Sequence, residues 1–365
     1  MSNMTRFSLA FFAGVGAMLA GQTSSAQTVA VGNCRPHLVS YSTISAAVAD
    51  VAPNSTVLVC PGTYPEQVTI SQPLTLKGLK AGTGSYPVVA VPSGGLVGNS
   101  GVQLFVEAPD LPLFGPVSIS NLVVDGAGSG FDCSKGDFTG IEYLSASGSL
   151  EKVEVRNQNP GGCGFGISLV GSPFGVNTVN IRNCSIHDFD DTGILATSDG
   201  ATAFLVNVSF SSVASASTSV QAGVDYESTD GLAAHNTIVL AGGIGLWLDN
   251  FYPGMTARGN TIVGSDIGIL SGSDEVAPTA IVNNRLFNNG TGIVVSGLGA
   301  GAVVKSNSII QSSIAAIDLD CSQDSTAENN TIFGAPVGIA NVAPGDTVRR
   351  NTFYSVPTLT TACPF

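Results

Sequence analysis

Charge is scarce in this chain. Asp, Glu, Lys and Arg make up 11% of 365 residues, and 26 acidic residues outnumber 13 basic ones two to one. The formal net charge of −13 sets the chain against nucleic acid and anionic lipid, so neither is expected as a partner. Long apolar runs are missing too: beyond the N-terminal leader, none approaches the ~18 residues that a membrane-spanning helix needs. None of the seven Cys forms a CxxC pair, which argues against a zinc-ribbon site. The low charge does not mean disorder. With 44% hydrophobic residues and 45 Gly, the chain can bury a large core through short strands and many turns.

The first residues carry one positive charge at Arg6, an apolar run from Phe7 to Ala20, and small residues ending at Ser24, Ser25 and Ala26. This pattern predicts a secretory signal peptide over residues 1–26 and an exported protein, whether secreted, periplasmic or on the cell surface. Export permits disulfides. Cys34 with Cys60 would tie down the N-terminal region, and Cys321 with Cys363 would pin the tail. Cys163 can pair with Cys184, one repeat away, or with Cys133.

Two columns run through the rest at one period. A small residue followed by an aliphatic recurs at Gly140, Gly166, Gly193, Gly223, Gly245, Gly268, Gly292, Ala316 and Gly338, about every 25 residues. An Asn column follows in step at Asn157, Asn183, Asn207, Asn236, Asn260, Asn284, Asn307, Asn330 and Asn351. Each unit offers two or three strands of three to six residues, too little to close a core alone. Stacked units bury one another's apolar side chains, and an Asn at one turn of every coil pairs with those above and below.

Within a unit the pattern alternates: Val224, Tyr226, Leu246 and Leu248 point inward, while Asp225, Glu227, Trp247 and Asp249 point outward. Ahead of the repeats, Ser42–Ala52 places Ile44, Val48 and Val51 on one helical face behind Ser42 or Thr43 as N-cap, and Pro53 stops it. Strands are expected at 55–60, 67–70 and 74–78, with a turn over Pro61–Glu66. The uneven steps before Gly223 predict wall-forming loops at 160–165 and 211–222, and so a ligand near the N-terminal half. One domain is expected: cap and first coil over 27–80, repeat coils over 117–357, and a tail over 358–365.

The helix, the strand after it and the Pro61-Gly62-Thr63-Tyr64 turn resemble the N-terminal cap of the pectin-lyase-like superfamily, and the units that follow resemble its coils. The resemblance spans residues 40–357. It implies an all-β, right-handed parallel β-helix of about nine to eleven coils with a short N-terminal capping helix. It implies little about function, since lyases, hydrolases, esterases, epimerases and adhesins share that fold.

Asp225, Glu227, Trp247 and Asp249 occupy equal offsets on two adjacent coils, which brings them to one outward patch with the sole Trp. Trp247 and Asp225 suit ligand binding, while Glu227 and Asp249, on adjacent coils about 5 Å apart, suit catalysis or part of a Ca²⁺ site. The bland alternative is a solvated acidic face with Trp247 packed under Asn250–Pro253. A second cluster, His187-Asp188-Phe189-Asp190-Asp191, echoes the Asp-Asp pair of polygalacturonases, which marks Asp190 and Asp191 as ligand-binding candidates. That family's Asn-Thr-Asp, Gly-His-Gly and Arg-Ile-Lys signatures are missing, and ordinary turn chemistry explains the acids equally well.

Other relatives fit no better. The methylesterase motifs beyond the cap are absent. A lyase would need Arg or Lys beside the acids, yet Arg156, Arg182, Arg258, Lys305 and Arg350 flank the Asn column half a coil away. A mature chain with Met255 alone and three His is a poor ligand set for copper. With no complete catalytic constellation, the expectation is a monomeric, non-catalytic exported scaffold that binds polysaccharide along its strand face. The alternative is a carbohydrate-active enzyme using the acidic patch. No cofactor is required, with Ca²⁺ the one that the carboxylates admit.

Overall fold

Each coil lays down three short strands, and like strands of successive coils pair in parallel register to make three sheets. The first sheet holds 14 strands, the second and third 12 each. The computed structural model describes residues 25–82, 84–97, 101–108, 115–172, 176–198, 204–249, 255–272, 279–297 and 301–364. Residues 1–24 of the expected leader and the 250–253 segment fall outside these residues. The twelve rungs of the third sheet are the nine coils of the Gly-aliphatic column plus Val68–Ile70, Gly101–Glu107 and Thr358–Ala362, which lack that step.

The column of small residues is set by close approach. In the extended third-sheet strands, a Cβ on Gly223 would lie 2.7 Å from the Gly245 carbonyl oxygen, and one on Gly245 would lie 2.6 Å from that of Gly268 and 2.4 Å from Ile262. The next residue inward is aliphatic in all nine coils of the column. Ile167, Ile194, Val224, Leu246, Ile269 and Ile293 are all fully buried and stack in register. Each such side chain contributes about 1.5–3 kcal/mol by leaving water, which no single coil obtains alone.

The N-terminal end is closed by α1 (Ile44–Asp50). The Thr43 hydroxyl accepts the Ala46 N–H, and Ile44, Ala47 and Val48 are buried on the first coil. Glu66 completes the cap: its carboxylate accepts the N–H groups of Ile44 and Ser45, both at 2.8 Å, where the helix dipole favours negative charge. The expected turn at 61–66 contains a strand, Thr63–Pro65, that opens the second sheet.

Disulfides join Cys34 to Cys60, Cys133 to Cys163, and Cys321 to Cys363, leaving Cys184 free and buried. No described helix is long and apolar enough to cross a membrane.

Two expectations about the coils need correction. The ladder runs from Asn236 through Asn260, Asn284, Asn307 and Asn330 to Asn351, each side chain donating to the Oδ1 of the next at 2.9–3.1 Å. Its N-terminal continuation is Ser211 and Cys184: Ser211 N–H donates to Asn236 Oδ1, and Cys184 N–H to Ser211 Oγ. Asn183 and Asn207 are outside it. Asn183 has φ +53 at the preceding turn and donates to Glu151, while Asn207 sits in a first-sheet strand and donates to Asn180. The 211–222 segment is a loop only over residues 216–221, because Ser212–Ser215 pairs as a second-sheet strand with Ser185–His187 and Thr237–Leu240.

Candidate functional site

The outer face of the third sheet collects the acids. Its strands carry Glu107, Glu142, Asp225, Glu227, Asp249 and Asp318, and no Lys, Arg or His. Register sets Asp225 between Leu195 and Trp247, and Glu227 between Thr197 and Asp249. The predicted patch therefore exists as a surface, with one departure: Asp225 points outward but is only 2% exposed. Trp247 and Asp249 are half-buried and Glu227 is exposed.

Burial dominates the chemistry of Asp225. One carboxyl oxygen has no hydrogen-bond partner, and desolvation pushes the group up to about 8, helped by the neighbouring charges of Glu227, Asp249 and Asp191. Asp225 therefore holds a proton at neutral pH. Buried carboxyls without partners are rare and costly, and they concentrate where a proton or a ligand is handled.

Further along the same face, toward the N-terminal coils, is a cavity of about 310 Å³ lined by Val102, Asp137, Thr139, Glu142, Phe165 and Leu195, among others. Leu195 lies directly beside Asp225 in the sheet, so the cavity and the buried acid adjoin. Burial first, and Asp137 second, hold Glu142 above the usual carboxylate range. Asp191 is raised as well, by burial and by Asp137 and Asp190, against the lowering effect of the Thr192 hydroxyl bond.

Sequence reasoning missed Asp137, Glu142 and Phe165. Glu142 carried a readable signal, since it holds the same offset from its Gly as Asp225 and Trp247 do; Asp137 and Phe165 precede their Gly residues and carried none.

The paired Asp190 and Asp191 divide. Asp190 is 6% exposed and accepts three backbone N–H groups, from Gly161 at 2.6 Å, Gly162 at 2.9 Å and Gly164 at 2.8 Å. Buried, and with three of its four acceptor directions taken by backbone N–H groups, it clamps the 160–164 wall. The Cys133–Cys163 bond anchors the same wall. Asp190→Ala is expected to cost about 2–4 kcal/mol, since it orphans three N–H groups, and to speed amide exchange at Gly161, Gly162 and Gly164 in hydrogen-exchange mass spectrometry; unchanged exchange there would refute the clamp.

His187 faces elsewhere, bridging Glu154 and Asp188 on the second sheet in a network that continues to Arg156 and Asp125. Among the described residues, no three His, Cys, Asp or Glu side chains are grouped to hold a metal ion. A larger hollow, about 440 Å³, lies on the first sheet beside Leu205, Asn207, Asp230 and Arg258, and none of the acids coupled to Asp225 lines it.

These features define the class: the chain is a right-handed parallel β-helix of the pectin-lyase-like fold. A family described as "Right handed beta helix region" matches residues 117–281. No curated protein matches the chain by sequence. Among solved structures, the A-module of mannuronan C-5 epimerase AlgE6 from Azotobacter vinelandii aligns at TM-score 0.59 and 15% identity, over 88% of this chain and 91% of that one. The lacto-N-biosidase from Eubacterium ramulus aligns at 0.58 and 10% identity, over 93% and 68%. PfbA, a surface adhesin of Streptococcus pneumoniae, aligns at 0.56 and 14%, over 87% and 88%. At such identities the likeness is one of fold.

Proposed function

We propose that the protein is an exported glycoside hydrolase that lays a polysaccharide along the outer face of the third sheet and cleaves it with Asp225 as proton donor. The observation that carries this reading is the buried, partly unpartnered Asp225 carboxyl, protonated at neutral pH beside Glu227, Asp249 and Asp191. Hydrolysis of a glycosidic bond needs one carboxyl that keeps its proton and one that has lost it, and unequal environments supply both. Asp225 donates to the leaving oxygen; Glu227, two residues along the strand and open to solvent, or Asp249 beside it, activates water or stabilises the developing positive charge. Trp247, on the next strand of the sheet, and Phe165, in the cavity on the other side of the acid, supply aromatic surface for a sugar. The three disulfides suit an extracellular location.

A non-catalytic binding scaffold is the second reading, favoured by the half-buried Trp247 on the same face as the cavity, which suffices to hold a glycan without chemistry. Incubation with a panel of soluble polysaccharides, followed by assay for new reducing ends, separates the two. Hydrolysis is expected, and Glu227→Gln and Asp249→Asn are each expected to retain binding, with at least one of them losing about 10²-fold or more in turnover. Glycan binding with no new reducing ends would leave the scaffold.

A further inference from the structure

Acids and bases are sorted around the solenoid. Described Lys, Arg and His residues other than Lys135 lie on the first two sheets, on the turns joining them, or in the N-terminal cap, as with Lys77, Arg156, Arg182, Arg258, Lys305 and Arg349. The segments that enter and leave the third-sheet strands between Val91 and Pro357 contain one basic residue in the sequence, Lys135, whose charge acts on Asp132. A polymer lying on the third sheet therefore meets a row of carboxyl groups and one cation, the exposed Lys135 at the edge beside Asp137.

Resting on the polysaccharide site proposed above, we infer that its ligand is a neutral glycan, and that the cavity between Glu142, Asp137 and Phe165 is the subsite for a carboxylate-free sugar ring. At about 310 Å³ the cavity lies at the low end of the ~300–1,000 Å³ typical of ligand pockets, which suits one or two rings. Its apolar surfaces, Val102, Phe165 and Leu195, match the C–H faces of a sugar. The carboxyls of Glu142 and Asp137 accept from hydroxyls, and the Thr139 and Ser168 hydroxyls of the same lining donate to them. A uronate would set a carboxylate against Asp137, Glu142, Glu227 and Asp249 with only the exposed Lys135, already beside Asp132, to offset four acids. The repulsion sets specificity by exclusion.

Retardation of the intact protein in gels containing a soluble β-glucan, a glucomannan, polygalacturonate, alginate or chitosan, at 20 and 500 mM salt, tests this. Retention by at least one neutral polymer is expected, unchanged within about twofold between the two salts because no ion pair is screened. Uronate polymers are expected to bind roughly 100-fold more weakly at low salt. Phe165→Ala is expected to weaken neutral-glycan retention at least tenfold, and Asp137→Lys, at an exposed position, to raise uronate retention.

Equal or stronger uronate binding overturns the inference, as does retention of chitosan alone that vanishes in salt. Retention of none of the polymers overturns it together with the site. Neutral glycan bound without cleavage removes the hydrolase and leaves the neutral ligand standing. Uronate cleavage abolished by Asp225→Asn does the reverse.

Discussion

Asp225→Asn is expected to raise the unfolding midpoint at pH 9 by several degrees over the parent protein while removing turnover at pH 6. The two effects share one cause. Burial pushes the folded-state carboxyl from 3.8 up to about 8, with further upward pressure from Glu227, Asp249 and Asp191. Below pH 3.8 both the folded and the unfolded chain carry this proton, and the group leaves stability unchanged. Between 3.8 and about 8 the unfolded chain releases the proton and the folded chain keeps it, so stability falls as pH rises, by on the order of 1 kcal/mol per pH unit. Above about 8 both are ionised and the loss is complete.

Asn cannot ionise, so the variant loses this slope and keeps those of the same sign from Glu142 and Asp191, whose carboxyls are also raised by burial. Thermal melts of both proteins from pH 5 to 9 should diverge as pH rises, and parallel curves would refute the raised carboxyl. Loss of the proton donor should lower hydrolysis by about 10²–10⁴-fold. In the parent, activity should fall on the alkaline side near pH 8, as Asp225 ionises.

What could be read from residues alone followed the physics of repetition. The small-aliphatic column is legible because backbones stack too closely at Gly223 and Gly245 for a Cβ, and that demand recurs in every coil. Of the three rungs where it lapses, Val68–Ile70 was legible as a strand of the first coil, whereas Gly101–Glu107 and Thr358–Ala362 stayed hidden; at the rung of Gly101–Glu107, the buried Gln103 takes the small residue's place and donates to the Val89 and Asp125 carbonyls instead.

Alternation placed Asp225 on the outer face correctly, yet facing outward did not mean solvated. Whether a carboxyl between Leu195 and Trp247 is wet depends on surrounding bulk that one strand's pattern does not record. Asp190 shows the opposite gap. A turn Asp and a ligand Asp read alike in sequence, and only the convergence of three N–H groups from a loop some 28 residues away separates them. The Cys163 partner was open for the same reason: Cys133 and Cys184 are both about one coil distant, but Cys184 sits in the ladder column, buried under Ser211.

The Asn column yields the other large effect, because period alone merged two structural roles. Asn284 accepts from both the N–H and the Nδ2 of Asn260 at 2.9 Å, and its own Nδ2 donates to the Ala257 carbonyl and to Asn307 Oδ1 at 3.0 Å. It is 1% exposed, so no water replaces what is removed. Asn284→Ala leaves the Asn260 donors, the Ala257 carbonyl and part of Asn307 unmatched in the interior. At about 1–3 kcal/mol for each orphaned group, a total loss on the order of 3–6 kcal/mol is expected, readable as a lower midpoint in urea.

Asn183 and Asn207, a turn residue and a strand residue with one exposed side-chain partner each, should change stability by less than about 1 kcal/mol when replaced by Ala. Equal losses at Asn183 and Asn284 would mean that the ladder is not a distinct buried column. Because each coil contacts only its neighbours, the Asn284 loss is local in origin: hydrogen exchange should open first in the coils carrying Asn260 and Asn307, leaving the Asp225 rung two coils away protected.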